Sequence, residues 1–209
     1  MTSIDLVAHW EHVYATKAPN AVSWYRPHLD RSLAFVDAAF LADGAHVLDV
    51  GGGASTFADD VLDRGAFAVT VLDLSDSALA CARGRLASRL DRVRFVCGDV
   101  RSLAVPHGSV DLWHDRAVLH FLREPDARGA YRARLLEALA PQGQVILAGF
   151  APDGPEACSG LPVVRASADD LMAFLGDAFD ELGRAAEIHL TPWSSPQSFA
   201  YVHARRRLP

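Results

Sequence analysis

The sequence predicts an α/β fold: a seven-stranded, mostly parallel sheet with helices on both faces, a C-terminal antiparallel hairpin, and N-terminal helices placed to act as a lid. Three observations carry that prediction. Between about residues 44 and 150, short unbroken apolar runs alternate with helix-length amphipathic stretches, the pattern of strands buried on both faces. The runs tend to stop at glycines or acidic residues, as strands do where they feed a turn. After Phe150 two apolar segments follow one another across a turn, which is too short a connection for another parallel crossover.

Taken in order, Ile4 to Ala15 is amphipathic, with Leu6, Trp10, Val13 and Tyr14 near one face, and Leu29 to Phe40 is a second helix ahead of the sheet. His46 to Val50 is the first strand. It stops at Gly51, Gly52 and Gly53, and Phe57, Ala58, Val61 and Leu62 then give helical spacing within Ala54 to Arg64. Phe67 to Leu72 carries β-branched Val69, Thr70 and Val71 and is the second strand; Asp73 follows, and Ser75 is a good N-cap for an Ala-rich helix reaching Leu90. Val93 to Val96 is the third strand, ending at Gly98 and Asp99, and Val110 to Trp113 is the fourth, running on to Asp115. Pro125 opens a helix whose Tyr131, Leu135, Leu136 and Leu139 form one apolar stripe, stopped by Pro141 and Gly143. Gln144 to Phe150 is the fifth strand. Pro152, Gly154, Pro155, Gly160 and Pro162 mark a loop, Ala168 to Leu175 a short helix, and Ala185 to Leu190 with Phe199 to Ala204 the hairpin around Pro192 and Pro196.

A length of 209 residues fits one domain, divided into a lid (1–43), a ligand-binding core (44–150) and a substrate loop with the hairpin (151–209). With 20 Lys plus Arg against 26 Asp plus Glu the net charge is −6, which disfavours nucleic acid as the main partner. Lys17 is the one lysine, and the Arg and Ala bias reads as the base composition of a GC-rich bacterial genome. No stretch approaches the roughly 18 apolar residues of a membrane span, and the first ten residues lack a signal-peptide pattern, so a cytoplasmic location is expected. Three cysteines and nine histidines without ligand spacing indicate neither a disulfide framework nor a metal site.

In an open parallel sheet, ligands lie outside the carboxyl ends of the strands, so the residues after each strand are the informative ones. Asp49-Val50-Gly51-Gly52-Gly53 is a glycine turn that lets backbone approach a ligand, although glycines can also serve only to make a tight turn. Asp73, 22 residues after Gly51, stands where a carboxylate accepts two ribose hydroxyls, with Leu74 beside it. Asp99 and the Val100 backbone are placed to meet an adenine, or Asp99 caps the next turn. His114 to His120, which includes Asp115 and Arg116, interleaves ionisable and apolar residues at the end of the fourth strand.

These residues together resemble the class I S-adenosylmethionine-dependent methyltransferases, a Rossmann-like family. Val47 to Gly53 is similar to the family's first motif, Asp73, Asp99 and the Asp111 to Asp115 strand fall at the following motifs, and Leu139 to Val145 resembles the turn that introduces the fifth strand. The resemblance covers about residues 44 to 150, and the terminal hairpin fits the family's antiparallel last strand. It departs at Ser55, where the family's last motif glycine usually stands, so that hydroxyl meets the methionine carboxylate or simply starts the helix. It also departs at Gln142. The segment Trp10 to Tyr25 is similar to the start of small methyltransferases, including protein-lysine methyltransferases that modify elongation factor. That similarity implies Tyr14, Trp24 and Tyr25 as contacts to the methionine end or the substrate, unless they only staple a covering helix.

The resemblance implies S-adenosylmethionine as cofactor, S-adenosylhomocysteine as product, and in-line displacement of the methyl group by a small-molecule or protein side-chain nucleophile. His120 is the candidate base, with packing as its alternative role. Cys158 lies on the loop where a substrate could pass, though a small buried hydrophobe suits it better. A nicotinamide-dependent oxidoreductase shares the glycine turn and the acid after the second strand, but its Gly-x-Gly-x-x-Gly pattern meets Thr56 at the sixth position. A non-catalytic cofactor-binding subunit is the third reading. The acceptor and the oligomeric state are not indicated.

Overall fold

In the computed structural model, which describes residues 5–208, nine strands and six α-helices assemble around one large sheet. Two N-terminal helices come first, α1 (Leu6–Thr16) and α2 (Asp30–Ala38). Ile4, the expected start of the first helix, lies outside the described residues; Asp5 caps α1 by accepting from the Val7 and Ala8 amides. Strands β1 (His46–Val50), β2 (Ala68–Asp73), β3 (Val93–Cys97), β4 (Val110–Arg116) and β5 (Leu139–Phe150) are parallel to one another. Helices α3 (Phe57–Arg64), α4 (Asp76–Arg85) and α5 (Pro125–Ala138) lie between them in the chain.

A two-residue-stranded hairpin, β6 (Ala157–Cys158) with β7 (Leu161–Pro162), follows, then α6 (Ala168–Leu175) and the long hairpin β8 (Phe179–Leu190) and β9 (Pro196–Arg206). The sheet order is β3-β2-β1-β4-β5-β9-β8, with β9 antiparallel to both of its neighbours. This is a Rossmann-like sheet of seven strands. Its order reverses between β1 and β4, and the functional crevice lies at that switch point.

Each face has its own core, because alternate residues of buried parallel strands point to opposite sides. Val47, Val69, Val71, Leu112 and Ile146 meet α2, α3 and α4 on one side. Leu48, Leu72, Trp113, Val145 and Leu147 meet α5 and α6 on the other.

Several boundaries differ from the sequence expectation for local reasons. Helix α3 starts at Phe57 because Ser55 Oγ accepts the Phe57 amide and the Ser55 amide closes a turn on Gly52. Helix α5 stops at Ala138, before Pro141, because Leu139 already pairs with Val110 of β4, and Gln142 takes φ +62°. The final hairpin is longer than its apolar segments. One face of edge strand β8 is open to water, so Asp180, Glu181 and Arg184 interrupt the apolar signal. The β6–β7 hairpin has only Cys158 and Leu161 as buried residues and is too short to show periodicity.

A buried polar chain pins β4 to α5. Trp113 Nε1 donates to Tyr131 Oη (2.8 Å), and Tyr131 donates to Asp115 Oδ2 (2.6 Å). Asp115 also accepts the Val118 and Leu119 amides, at 2.7 and 3.0 Å. Replacing Tyr131 with Phe leaves the indole N–H unpaired and weakens the cage around a buried carboxylate, and is expected to cost about 3 kcal/mol. Urea unfolding of Tyr131→Phe against wild type checks this; a loss below about 1 kcal/mol contradicts it.

Candidate active site

Strand β1 delivers the chain into Gly51, where φ is +68° and the Gly51 and Gly52 amides both donate to Leu72 O, at 2.7 and 3.2 Å. No side chain fits this turn. A Cβ on Gly51 would stand 2.1 Å from Val118 Cγ2, and one on Gly52 would stand 2.2 Å from Asp49 Oδ2. Gly53 is wedged between Asp73 and Tyr14: its Cβ would be 2.7 Å from the carboxylate and 3.3 Å from the phenol oxygen.

Two cavities meet over this turn. The larger encloses about 870 Å³, partly open to solvent, and runs from Asp73, Leu74, Asp99 and Val100 past Gly51 to Arg116, Phe121 and Cys158. Trp10, Tyr14 and Trp24 of the N-terminal segment roof it. The smaller, about 540 Å³, takes in Asp49, Gly52, Ser55, His114, Tyr25 and Arg26, and shares Tyr14, Trp24, Gly51 and Arg116 with the first.

Asp73 is buried at the end of β2. One oxygen accepts the Ser75 amide (2.9 Å), and burial, with Asp49 as a second negative charge, pushes its pKa up to about 7. Asp99 lines the cavity as expected and also caps the 3₁₀ turn Val100–Ser102, which was its alternative role. Its two oxygens engage the Arg101 backbone and guanidinium, and this pairing holds the carboxyl below the usual range. Arg101 was not anticipated; a cation two residues after an acid carries no sequence signal of its own.

Asp49 ends a buried chain. Its Oδ1 meets His114 Nδ1 (2.7 Å), and His114 Nε2 meets Ser32 Oγ of α2 (2.9 Å), with Phe57 stacked on the imidazole at 3.8 Å. The other oxygen, Oδ2, is buried without a partner. Ser32 was missed because its helix is 82 residues from His114 in sequence.

Three expected site residues line neither cavity, and the first is Gly53, whose backbone is wedged between Asp73 and Tyr14. Asp115 does not line either cavity: it is fully buried, and its oxygens are occupied by the Val118 and Leu119 amides and Tyr131, so it shapes the turn after β4. His120 does not line a cavity either. It packs between Phe121 and Phe150, and burial together with Arg116 pushes its pKa down to about 3, which removes it as a base near neutrality. Cys158 does line the larger cavity, with a thiol pushed up to about 11 by burial. It stays protonated at neutral pH.

The lid is fastened from two directions. Glu11 of α1 accepts the Asp76 and Ser77 amides at the start of α4, and His9 Nε2 lies 3.3 Å from Ser159 Oγ between β6 and β7. Trp24 Nε1 donates to Tyr14 Oη at 3.2 Å. Trp10 meets Trp24 and Phe121 edge-on, with centroids 5.6 and 5.3 Å apart.

With this geometry in place, residues 47–143 match the family model described as a methyltransferase domain. That stretch, a little under half of the chain, is similar to a methyltransferase domain. Over 112 residues it is 34% identical to the ubiquinone/menaquinone biosynthesis C-methyltransferase UbiE of Paracoccus denitrificans, covering 52% of this chain and 43% of that one. The match thus spans less than half the length of that curated relative. Among solved structures, one concerning conversion of a disulfide bond into a thioacetal group during echinomycin biosynthesis superposes with a TM-score of 0.76, at 22% identity over 96% of this chain and 93% of that one. The 1,6-didemethyltoxoflavin-N1-methyltransferase of Burkholderia thailandensis superposes at 0.70, with 24% identity over 97% and 88% of the two chains; it was solved with 1,6-didemethyltoxoflavin and S-adenosylhomocysteine bound. These likenesses establish the fold. Among the described residues no helix is long and apolar enough to cross a membrane.

Asp73 gives the site a pH signature. Its folded pKa is raised above that of an unfolded aspartate, so its contribution to stability is full below about pH 4 and is lost as pH rises through about 7. Asp73→Asn is expected to flatten that part of the stability–pH curve, leaving the smaller slope from Asp115, whose pKa burial raises to about 6. Thermal melts between pH 4 and 8 check this. Parallel curves for wild type and variant contradict it.

Proposed function

We propose that this protein transfers the methyl group of S-adenosylmethionine to a small-molecule nucleophile bound under the N-terminal lid. The observation that carries the proposal is the placement of Asp73. It is a buried carboxylate at the end of β2, against the glycine turn, in a cavity continuous with an aromatic-walled end. In this reading Asp73 accepts the ribose hydroxyls, with Leu74 beside them. Asp99 and the Val100 amide receive the adenine, and the Gly51–Gly53 backbone passes under the donor. The smaller cavity takes the methionine end, where the unpartnered Asp49 Oδ2 suits an ammonium group and Ser55 and Tyr25 supply hydroxyls.

When bound, the donor supplies an electrophilic methyl group on a sulfonium centre. The protein's part is alignment and exclusion of water. Trp10, Tyr14, Trp24 and Phe121 roof the reacting end with apolar surface, and Ser32–His114 hold Asp49 in place. No base is assigned. His120 is neutral and lies behind the wall, so the acceptor arrives as its nucleophilic form or releases its proton to solvent. A cavity roofed by the N-terminal side chains and only partly open to solvent favours a small molecule over a protein side chain, and a cytoplasmic setting belongs to the same proposal.

A nicotinamide reading is disfavoured by Asp59 and Asp60 in the first turn of α3, where a diphosphate would need the positive end of the helix. Calorimetric titration with S-adenosylmethionine, S-adenosylhomocysteine and NADH separates the readings. Micromolar binding of the first two without NADH is expected, and Asp73→Ala should weaken S-adenosylhomocysteine at least tenfold, about 1.4 kcal/mol. Binding of NADH alone, or unchanged affinity in Asp73→Ala, contradicts the proposal. Binding without turnover on any of a panel of phenols, acids, amines and thiols favours a non-catalytic subunit.

A further inference from the structure

Among the described residues, seven buried side-chain nitrogen or oxygen atoms lack a hydrogen-bond partner, and four of them lie on three residues around one charge: Arg116 Nη2, both ring nitrogens of His120, and His189 Nδ1. Arg116 lowers the pKa of both histidines, so each sits within its field. Folded chains seldom leave buried polar groups unpaired, and of these four atoms only Arg116 Nη2 belongs to a residue that lines the cavities, so it is the one a ligand there can complete.

Arg116 itself is held rigidly. Its side chain is 5% exposed, its Nε donates to Tyr201 Oη (3.0 Å), its Nη1 reaches Trp24 O (3.4 Å), and its guanidinium lies 4.3 Å over the Phe199 ring. Those contacts leave Nη2 unpaired. The nearest acid, Glu187, stands 3.8 Å away and is committed elsewhere: it pairs closely with Arg26 and accepts from Tyr201 at 2.6 Å. One carboxylate is thus shared by two guanidinium groups, and the other acid on Arg26, Asp30, is exposed and screened by water. This end of the cavity therefore presents one guanidinium nitrogen that has no hydrogen-bond partner. Around it, Trp10, Trp24 and Phe121 supply flat apolar walls.

We infer that this end of the larger cavity is the acceptor subsite, that Arg116 is its specificity-determining residue, and that it takes a small, flat, conjugated molecule bearing an anionic oxygen, a carboxylate or phenolate. The inference rests on the methyl-transfer reading of the cavity. It differs from the sequence expectation, which grouped Arg116 with the cofactor contacts. A buried guanidinium nitrogen without a hydrogen-bond partner discriminates for charge, because its bond to an anionic oxygen is stronger than its bond to a neutral carbonyl.

The test uses the 209-residue chain saturated with S-adenosylhomocysteine, and titrates benzoate and benzamide, which match in shape and differ in charge, by ligand-observed NMR. Benzoate is expected to bind at least tenfold more tightly than benzamide. In Arg116→Gln, with its fold checked by circular dichroism, that preference is expected to fall below twofold. Should Arg116→Gln fail to fold, Arg116→Lys keeps the charge without the second nitrogen and is expected to cut the preference at least threefold; an unchanged preference overturns the assignment. Equal binding of the two probes to wild type, or binding of neither while S-adenosylhomocysteine binds, overturns the acceptor class. Failure of S-adenosylhomocysteine to bind is seen before any probe is added, and brings down the methyl-transfer reading on which the inference stands.

Discussion

The backbone at Gly51–Gly53 passes through a gap that admits no Cβ, and the site is arranged around that gap. Val118 closes it from the turn after β4, Asp49 from β1 itself, and Asp73 with Tyr14 from β2 and the lid. The paired amide bonds to Leu72 O fasten the turn to the neighbouring strand. Because β1 sits between β2 and β4, one tight turn sets the distance between the acid after β2 and the cation after β4.

Burial does different work on the groups around this turn. Asp73 and Asp115 are both pushed toward neutrality, but Asp115 is satisfied by two amides and a phenol, whereas Asp73 keeps one oxygen against the cavity. His120 is rendered neutral and Cys158 is kept as a thiol, so neither competes as a nucleophile or base near pH 7. Arg116 faces the cavity with one guanidinium nitrogen that has no hydrogen-bond partner. In the proposed methyl transfer these groups act by position and burial, with no residue assigned to proton transfer.

The order of strands and helices was legible because buried parallel strands are written as short apolar runs, and the glycine turn with Asp73 was legible because both lie in contiguous motifs. The extent of β8 was hidden by its solvent face, and the β6–β7 hairpin by its length. The cofactor placement of Asp115, and the choice between base and packing for His120, were open for one reason: the sequence places both at the carboxyl end of a strand but does not say which side of the turn they face, and the positive φ at Ala117 (+76°) turns the chain there. The Asp49–His114–Ser32 chain, the Glu11 contact to α4 and the Arg26–Glu187–Arg116 arrangement join residues far apart in sequence. Only the folded chain brings them together.

The central claim is that a donor lies across the glycine turn between Asp73 and the lid. Hydrogen exchange of the protein with and without S-adenosylhomocysteine tests it most directly, because the amides involved are known by position. The account requires slower exchange in the bound state at residues 51–55, 73–76 and 98–102 and along α1, with the β8–β9 edge unchanged. Protection confined to β8–β9, or exchange at the glycine turn indifferent to the ligand, would contradict it.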